Sequence, residues 1–409
     1  MQAPGSTRGA RLAVAVAALG YFVDIYDLVL FGVVRKASLE GLGLQGEAIK
    51  TVGVDLLNWQ MGGMLVGGVL WGVLGDRIGR LPILFGSILV YSLANVANGF
   101  VQDIPTYAAL RFIAGIGLAG ELGGGITLVS ELLSRHARGY GTTLVAAIGI
   151  CGAVAASLVG DLFDWRTSYF IGGGLGLLLL LLRVGVYESG MFERTRASGV
   201  SRGNFLALFS TLSRARRYLA VVVVGVPIWY AVGILVMFSP EIGAAMGMPQ
   251  SAVPTASRAI LWCYVGLAAG DLASGLLSQL LRSRKRALVV FLGITTVAIA
   301  LYFGLAPLPL PAFYAICALL GFGTGYWAVF VTVAAEQFGT NLRATATTTA
   351  PNFVRGAVVP LTTGFRAFEP SLGTVGAALA VGVLALGLAV VALASLEETY
   401  GKDLDFVEG

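Results

Sequence analysis

The amino-acid sequence predicts an all-α membrane protein with twelve transmembrane helices in two pseudo-symmetric six-helix bundles. Three observations carry this prediction: a charge-poor composition, twelve apolar runs of membrane-spanning length, and matching patterns in the two halves. Of the 409 residues, 57% are hydrophobic and 12% are charged, whereas soluble domains carry about 25% charged residues. The 57 glycines fit helices that approach each other closely in lipid.

The composition also excludes several classes of protein. Basic residues are spread over short loops, so we predict no soluble basic domain and no nucleic-acid partner. Cys151, Cys263 and Cys317 lie inside apolar runs and are interpreted as small core residues, not as disulfide or metal ligands. His136 is the single histidine. We therefore expect no metal site and no cofactor, and no enzyme, which would need a catalytic cluster.

The apolar runs predict where the chain crosses the membrane. A spanning helix needs about 20 mostly apolar residues. The first run is not interpreted as a signal peptide, because its apolar character continues past Asp24 and Asp27 to Val34. The predicted spans, numbered 1 to 12, are residues 11–34, 51–74, 81–101, 106–133, 140–162, 166–187, 218–240, 256–281, 287–306, 311–337, 344–367 and 372–395.

The distribution of Lys and Arg predicts the orientation. Loops after even-numbered spans are basic, and the opposite side carries fewer such residues, Arg35, Lys36 and Lys50 among them. By the positive-inside rule both termini are expected in the cytoplasm, and a bacterial inner membrane is the expected location. We call the predicted cytoplasmic side the inner side and the opposite side the outer side. The basic residues of the inner side include Arg77, Arg80, Arg135, Arg138, Arg282, Arg284, Lys285, Arg286 and Arg343.

A central polar segment divides the chain. Residues 189–217 separate an N-terminal half, 1–188, from a C-terminal half with a short tail, 218–409. The later part of this segment, Asn204 to Arg217, is amphipathic and is interpreted as a linker helix on the inner membrane surface.

The two halves resemble each other in sequence. Glu131 precedes Arg138 by seven residues at the end of span 4, and Glu336 precedes Arg343 by seven at the end of span 10. Two parallel six-helix repeats are typical of transporters, with the substrate site between the halves near the midplane. We assign these four residues to an inner gate and not to the substrate.

The loop between spans 2 and 3 carries a specific motif. It reads Gly72-Val-Leu-Gly-Asp76-Arg77-Ile-Gly79-Arg80 and resembles the signature loop of the major facilitator superfamily. The resemblance implies a latch that holds the inner gate shut. Gly79 permits a tight turn, and Asp76 can accept from a helix N-terminus or an arginine. The alternative is a basic loop that only sets the orientation.

Three further segments resemble particular branches of that family. The end of span 6, from Tyr187 to Glu193, and the tail, from Glu398 to Gly401, resemble elements of sugar porters and metabolite:proton symporters. Span 4, from Arg111 to Glu121, is similar to that of metabolite:proton and aromatic-acid:proton symporters. In the second-half counterpart of the latch, Gln279 stands where the acid would be, so this region departs from the latch pattern of the first half.

Acids in span 1 are the strongest candidates for proton coupling. A charge in the membrane costs at least about 2.5 kcal/mol, so it indicates function. Asp24 and Asp27 lie three residues apart and share a helix face. Arg111 in span 4 lies at the same predicted depth as Asp27, so we expect an ion pair. Burial favours the neutral acid and the guanidinium favours the anion. We predict Asp27 as proton carrier and Asp24 as the second choice; a structural ion pair is the alternative.

Arg355 in span 11 is the strongest candidate for binding an anionic substrate, with Asn352 nearby, because guanidinium offers two parallel donors. The alternative is a structural ion pair with an acid such as Asp271 in span 8. Glu121, midway along span 4, is a candidate second proton site or substrate partner, or else a neutral acid bonded within the bundle.

Aromatic residues on the cavity-lining spans are weaker candidates. Trp229 and Tyr230 lie in span 7, and Tyr326 and Trp327 follow the glycine run of span 10. Each could stack on a substrate, but ordinary packing explains them equally well.

Taken together, the residues predict proton-coupled symport of a small organic solute, a carboxylate, by alternating access. The expected partners are this solute, protons and the lipid bilayer, and the expected state is a monomer. One alternative is a proton-coupled antiporter that exports drugs or metabolites. Another is a non-transporting receptor or scaffold with a transporter fold.

Overall fold

A computed structural model describes residues 7–78, 80–121, 135–188, 205–305, 307–402 and 408. Predictions for Gly79, Glu131 and most of the linker therefore fall outside the described residues. Asp76, Arg77, Arg80 and Arg138 lie in helices, but their side chains are also outside this description.

The N-terminal half consists of long helices joined by short outer loops. Span 4 begins after Asp103, whose carboxylate accepts a hydrogen bond from the Thr106 amide at 2.8 Å and caps the helix. The helices of spans 1 to 6 are Thr7–Gly41, Glu47–Ile78, Arg80–Asn98, Ile104–Leu118, Arg135–Leu162 and Trp165–Glu188.

The C-terminal half contains the irregular helices. Span 10, predicted as continuous, is broken at Gly325 and Tyr326. Gly373 has a φ of 67°, which separates spans 11 and 12 within one long helix. Spans 7 to 10 are Leu212–Tyr230 with a π-helical turn Ala231–Val236, then Ala256–Leu280, Arg284–Gly304, and the pair Leu310–Thr324 and Trp327–Glu336. Span 11 is Thr340–Gly356 with the first part of the helix Val358–Ser395, and span 12 is the rest of that helix. Phe205–Phe209 precedes span 7, and the short helices Ser239–Ala245 and Gln250–Ala252 connect spans 7 and 8.

The outer faces of the helices are apolar, as expected for contact with lipid. Leu162 and Leu280 expose more than 70% of their side chains, whereas Arg111 and Arg355 are almost completely buried. This pattern is the reverse of a soluble protein. In the described chain, seven helical segments are long and apolar enough to cross a membrane, and one of them, Asn341–Ser395, covers two spans. The prediction of a twelve-span all-α membrane protein is confirmed.

Glycines allow close helix contacts in equivalent places of the two halves. A Cβ atom on Gly115 of span 4 would lie 2.0 Å from the Gln60 carbonyl oxygen of span 2. A Cβ atom on Gly321 of span 10 would lie 1.8 Å from the Cys263 carbonyl oxygen of span 8. Spans 2 and 4 therefore pack as spans 8 and 10 do, as expected for six-helix repeats.

The two halves meet along two pairs of spans. Span 2 packs against span 11, and span 5 packs against span 8; span 1 also contacts span 8. The two pairs are related by exchanging the halves, because spans 2 and 5 correspond to spans 8 and 11. Charged residues of spans 1, 4 and 11 consequently face a common interior.

Substitution of the contact glycines is expected to destabilise the fold. Gly115→Val places a side chain against the backbone of span 2 and should lower the free energy of unfolding by about 1–3 kcal/mol. The measurement is the melting temperature of the purified protein in detergent. Gly174→Ala is the matched control, because nothing lies within 4 Å of its Cβ position. Equal melting temperatures for both variants would contradict this packing.

Candidate functional site

Three positions of span 1 face the interior of the protein. Gly20, Asp24 and Asp27 are spaced by four and three residues and so lie on one helix face. The absence of a side chain at Gly20 leaves room for the ion pair of Glu121 with Arg183, whose atoms lie within 2.5 Å of a Cβ built there. Span 1 therefore brings three groups of charges to successive levels.

At the middle level, Asp24 forms an ion pair with Arg355 of the opposite half. The Arg355 Nη2 atom donates to Asp24 Oδ2 at 3.3 Å, and both side chains are at most 1% exposed. The Nε and Nη1 atoms of Arg355 have no hydrogen-bond partner among the described residues. The alternative considered for Arg355 was an ion pair with an acid such as Asp271; in the structure the paired acid is Asp24 of the other half, not Asp271.

Asp271 instead caps the second helix of span 10. Its Oδ1 atom accepts from the Ala328 amide at 3.0 Å, in the first turn of Trp327–Glu336. A carboxylate at this position satisfies free amides and the positive end of the helix dipole. Gly325 allows span 8 to approach the break closely, because a Cβ there would lie 2.6 Å from the Gly270 Cα atom.

The break in span 10 places an aromatic ring beside the arginine. The Arg355 Cζ atom lies 5.8 Å from the centre of the Trp327 ring, within the range of a cation–π contact. The Trp327 Nε1 atom is buried without a hydrogen-bond partner in the described chain. The site between the halves thus offers unused N–H donors and an aromatic face next to each other.

Glu121 is held by an ion pair within its own half. The Arg183 guanidinium of span 6 donates to both Glu121 oxygens, with Nη1 to Oε2 at 3.0 Å. Both side chains are 2% exposed. The two charges compensate each other, so the pair brings no net charge to the site. Arg183 is therefore the partner that was missing from the sequence prediction for Glu121.

Asp27 and Arg111 do not form the expected ion pair. Asp27 is fully buried, and neither carboxylate oxygen has a hydrogen-bond partner among the described residues. Arg111 donates from Nη2 to the Gln60 Oε1 atom of span 2 and lies over the Phe31 ring at 5.0 Å. Arg111 still lies close enough to Asp27 to act on its charge.

The other predicted site residues lie at helix contacts. Asn352, one turn before Arg355, donates from Nδ2 to the Ala119 carbonyl of the opposite half at 3.0 Å. Within the C-terminal half, the Tyr230 hydroxyl donates to the Ala378 carbonyl at 2.7 Å. The other two aromatic candidates are also buried there: Tyr326 donates to the Val224 carbonyl at 3.0 Å, and Trp229 is 4% exposed.

On the outer side, ion pairs join the two halves. Asn58 and Thr362, just inside these pairs, also bond across the halves at 2.6 Å. The most buried pair is Arg35 with Glu241, at 2.6 Å and with 2% exposure of the arginine. In the described structure the pairs are Arg35–Glu241, Lys50–Glu369, Asp161–Arg258 at 2.9 Å and Asp55–Arg366 at 2.6 Å.

On the inner side, the described ion pairs lie within the C-terminal half or join it to the end of the linker, as Arg214 and Arg217 do with Glu408. Glu336 forms a two-fold pair with Arg284, at 3.1 and 3.2 Å, and Arg343 donates from Nε to the Ala335 carbonyl at 3.1 Å. Gly72 of span 2 approaches Thr349 of span 11.

The tail motif closes this inner-side network. Glu398 accepts from the Ser283 hydroxyl and from the Arg284 and Lys285 amides. Partial burial disfavours its charge, but these donors prevail and lower the pKa of Glu398 below its ordinary value. Tyr400 hydrogen-bonds Gln279 at 3.2 Å. Gln279, which stands at the acid position in the second-half counterpart of the latch, thus binds the tail segment from Glu398 to Gly401.

Sequence reasoning missed three contributors to the site: Arg183, Gln60 and Asn95. Arg183 interrupts the leucine run 177–182, and Gln60 and Asn95 are amides within apolar helices. All three are at most 1% exposed. A search for every polar residue inside a span, and not only for the selected charged and aromatic candidates, would have found them.

The fold and the site together define a class of protein: a polytopic membrane protein with a charged site between two six-helix halves. The sequence profile of the Major Facilitator Superfamily matches residues 17–359. The chain therefore belongs to the Major Facilitator Superfamily; it is a transporter and not an enzyme.

Individual relatives cover most of the chain. It is 29% identical over 382 residues to a 3-(3-hydroxy-phenyl)propionate transporter of Escherichia coli, covering 88% of this chain and 92% of the relative. It is 26% identical over 429 residues to the niacin transporter NiaP of Acinetobacter baylyi, covering 96% and 95%. The crystal structure of a D-xylose-proton symporter has the same fold, with a TM-score of 0.71, 17% identity and coverage of 96% and 99%.

Removing the charge of Glu121 is expected to destabilise the N-terminal half. Glu121→Gln leaves the Arg183 charge buried without its anion, and breaking such a pair costs about 3–5 kcal/mol. Thermal unfolding in detergent measures the loss. The double variant Glu121→Gln, Arg183→Leu removes both charges and should recover part of it. A double variant less stable than Glu121→Gln alone would contradict the ion pair.

Breaking the buried outer pair should expose the outer side. Glu241→Gln leaves Arg35 buried without its anion, whereas Asp55→Asn weakens an exposed pair worth at most about 1 kcal/mol. We expect Glu241→Gln to increase labelling of Thr362→Cys by an impermeant maleimide from outside, with a much smaller effect of Asp55→Asn.

This labelling is measured with Cys151 replaced by alanine, because the other two cysteines are buried. Equal labelling of the two variants would show that the Arg35–Glu241 pair does not hold the outer side closed.

Proposed function

We propose that this protein is a proton-coupled symporter of small aromatic carboxylates. The observation that carries the proposal is the buried ion pair of Asp24 with Arg355 across the two halves, with Trp327 beside it. A carboxylate is the anion that a planar guanidinium binds with two parallel bonds. The two partners come from different halves, so their separation can change as the halves move.

A charge balance explains why an anion and a proton would bind together. Two arginines, Arg111 and Arg355, and two aspartates, Asp24 and Asp27, are buried in the interior; the sum of +2 and −2 is zero. A proton on Asp27 leaves a charge of +1, and a carboxylate substrate restores zero. Uncompensated charge in a low-dielectric interior is costly, so each ligand favours the binding of the other.

The arrangement favours Asp27 as the proton carrier and Asp24 as the counter-ion of Arg355. Asp24 accepts a bond from a guanidinium, which stabilises its charged form, whereas no cation donates to either oxygen of Asp27. A buried carboxyl group without a charged donor is less costly when neutral. The structure thus fits a form with Asp27 protonated and Asp24 charged.

The aromatic part of the substrate class rests on Trp327 and on two relatives. Its ring lies beside Arg355, and its Nε1 atom is an unused donor. A ring attached to a carboxylate could contact the tryptophan face while the anion reaches the guanidinium. The relatives named as transporters of 3-(3-hydroxy-phenyl)propionate and niacin carry ligands of this chemistry, since both are aromatic carboxylic acids.

Alternating access would follow from the two gates. The cross-half ion pairs close the outer side, and their release would open the site outward. Asp76, Arg77, Gly79 and Arg80 form the proposed inner latch, by family resemblance. We propose both termini in the cytoplasm of a bacterial cell and residues 189–217 as the linker. We propose a monomer, because one chain supplies both halves of the site.

The test is uptake of labelled nicotinate into proteoliposomes with an acidic exterior. Wild type should accumulate nicotinate above the outside concentration. Asp27→Asn should lose this accumulation but keep nicotinate exchange, because the charge balance no longer requires a proton. Arg355→Gln should lose both. Arg286→Gln, an exposed inner-side arginine, is the control and should behave as wild type.

Two outcomes would decide against the proposal. Accumulation by Asp27→Asn under the same gradient would remove Asp27 as carrier, and Asp24→Asn would then be tested in its place. The antiporter alternative predicts export, seen as proton-driven nicotinate uptake into inside-out vesicles. A receptor would bind nicotinate, raising the melting temperature by mass action, without any flux.

A further inference from the structure

Gln60 occupies the position in which Asp27 would be expected. Arg111 has a buried carboxylate nearby, yet its Nη2 atom donates to the neutral Gln60 amide oxygen. An arginine normally prefers a charged acceptor, since such bonds are about twice as strong as neutral ones. The observed choice fits a neutral Asp27, and it identifies a second acceptor within reach of the same guanidinium.

The Gln60 side chain is fixed in this orientation. Its Nε2 atom donates to the Leu28 carbonyl of span 1 at 3.3 Å, and the residue is fully buried. The amide group can therefore present only its oxygen to Arg111. Leu28 directly follows Asp27, so Gln60 ties span 2 to the backbone beside the proposed proton carrier.

We propose that Gln60 is a positioning residue that holds Arg111 while Asp27 is protonated and releases it when Asp27 is charged. In this scheme a proton arriving from water neutralises Asp27, and Arg111 rests on Gln60. When Asp27 loses the proton to water, its anion attracts Arg111 away. Gln60 thereby sets the proton affinity of Asp27, and the inference rests on the coupling role proposed for Asp27.

The surroundings of Asp27 leave Arg111 as its single nearby cation within the described chain. Span 6 contributes a glycine, Gly172, against the Asp27 carboxylate, and Asn95 of span 3 faces it with an amide that has no other partner in this region. The titratable and charged groups that act on Asp27 or feel its charge are Asp24 and Tyr26 in span 1, Tyr91 in span 3, Arg111 in span 4 and Tyr169 in span 6.

Two of these tyrosines are occupied elsewhere. The Tyr26 hydroxyl donates to the Ser168 carbonyl at 3.0 Å, and the Tyr169 hydroxyl shares a bond of 2.7 Å with Tyr107. Tyr26 therefore does not compete with Gln60 for Arg111, whereas the Tyr169 hydroxyl is also within reach of the guanidinium. Arg111 thus has one carboxylate, Asp27, and two neutral acceptors nearby, of which Gln60 accepts the direct bond from Nη2.

Two substitutions at Gln60 should shift the titration of Asp27 in opposite directions. Gln60→Leu removes the neutral acceptor, so Arg111 stays with Asp27 and stabilises its anion; the titration midpoint falls by about one to three pH units. Gln60→Glu offers Arg111 a permanent anion, leaving Asp27 uncompensated and repelled; the midpoint rises. A loss of packing alone would not give shifts of opposite sign.

The readout is pH-difference infrared spectroscopy of the purified protein, without any substrate. The Asp27 carboxyl band is identified by comparing wild type and each variant, including Gln60→Glu, with the same protein that also carries Asp27→Asn. The band that disappears in the second protein is assigned to Asp27. Gln337→Leu removes a buried amide of the C-terminal half that bonds the Glu397 carbonyl; its Asp27 midpoint should equal that of wild type.

The outcomes separate this inference from the proposed function. Midpoints that move apart as stated support the role of Gln60, even if nicotinate uptake fails and the proposed function is abandoned. Unchanged midpoints, or shifts of the same sign, overturn the role of Gln60, even if uptake behaves as proposed. If one variant does not fold, the sign of the other still decides.

Discussion

The ion pair between Asp24 and Arg355 joins the two halves at the centre of the molecule. Neither charge can reach water in this arrangement, and both come from helices that must otherwise be apolar to cross the membrane. Each residue therefore requires the other half in place. The cross-half bond of Asn352 lies within one turn of this pair, and the outer ion pairs lie about three turns away. The geometry of the interior depends on keeping these charges compensated.

Much of the fold could be predicted because the membrane allows few solutions. Backbone groups in lipid must be satisfied within a helix, so apolar length alone places the spans. The break in span 10 could not be predicted in this way. The run around Gly325 and Tyr326 is as apolar as a continuous helix, and the break depends on the acceptor supplied by Asp271 from span 8.

The site could be predicted only in part. The composition of each span indicates that Asp24, Asp27, Arg111 and Arg355 belong to the interior, and all four are there. The pairing of acids with arginines depends on differences of a few ångströms in the positions of helices that are distant in the sequence, and the sequence does not provide these positions. The sequence argument from equal depth chose Asp27 for Arg111, but it gave no information about a neutral competitor on span 2.

The two halves share their packing but not their charges. Gly115 and Gly321 make equivalent contacts in the two repeats, whereas the buried acids lie in the N-terminal half and in span 8. This division has a physical consequence. In the proposed mechanism, a proton on Asp27 would change the charge of the N-terminal half, whereas Arg355, which would bind the substrate anion, belongs to the other half. Coupling between proton and substrate can then act on the relative position of the halves, because the attraction across their interface changes with each ligand.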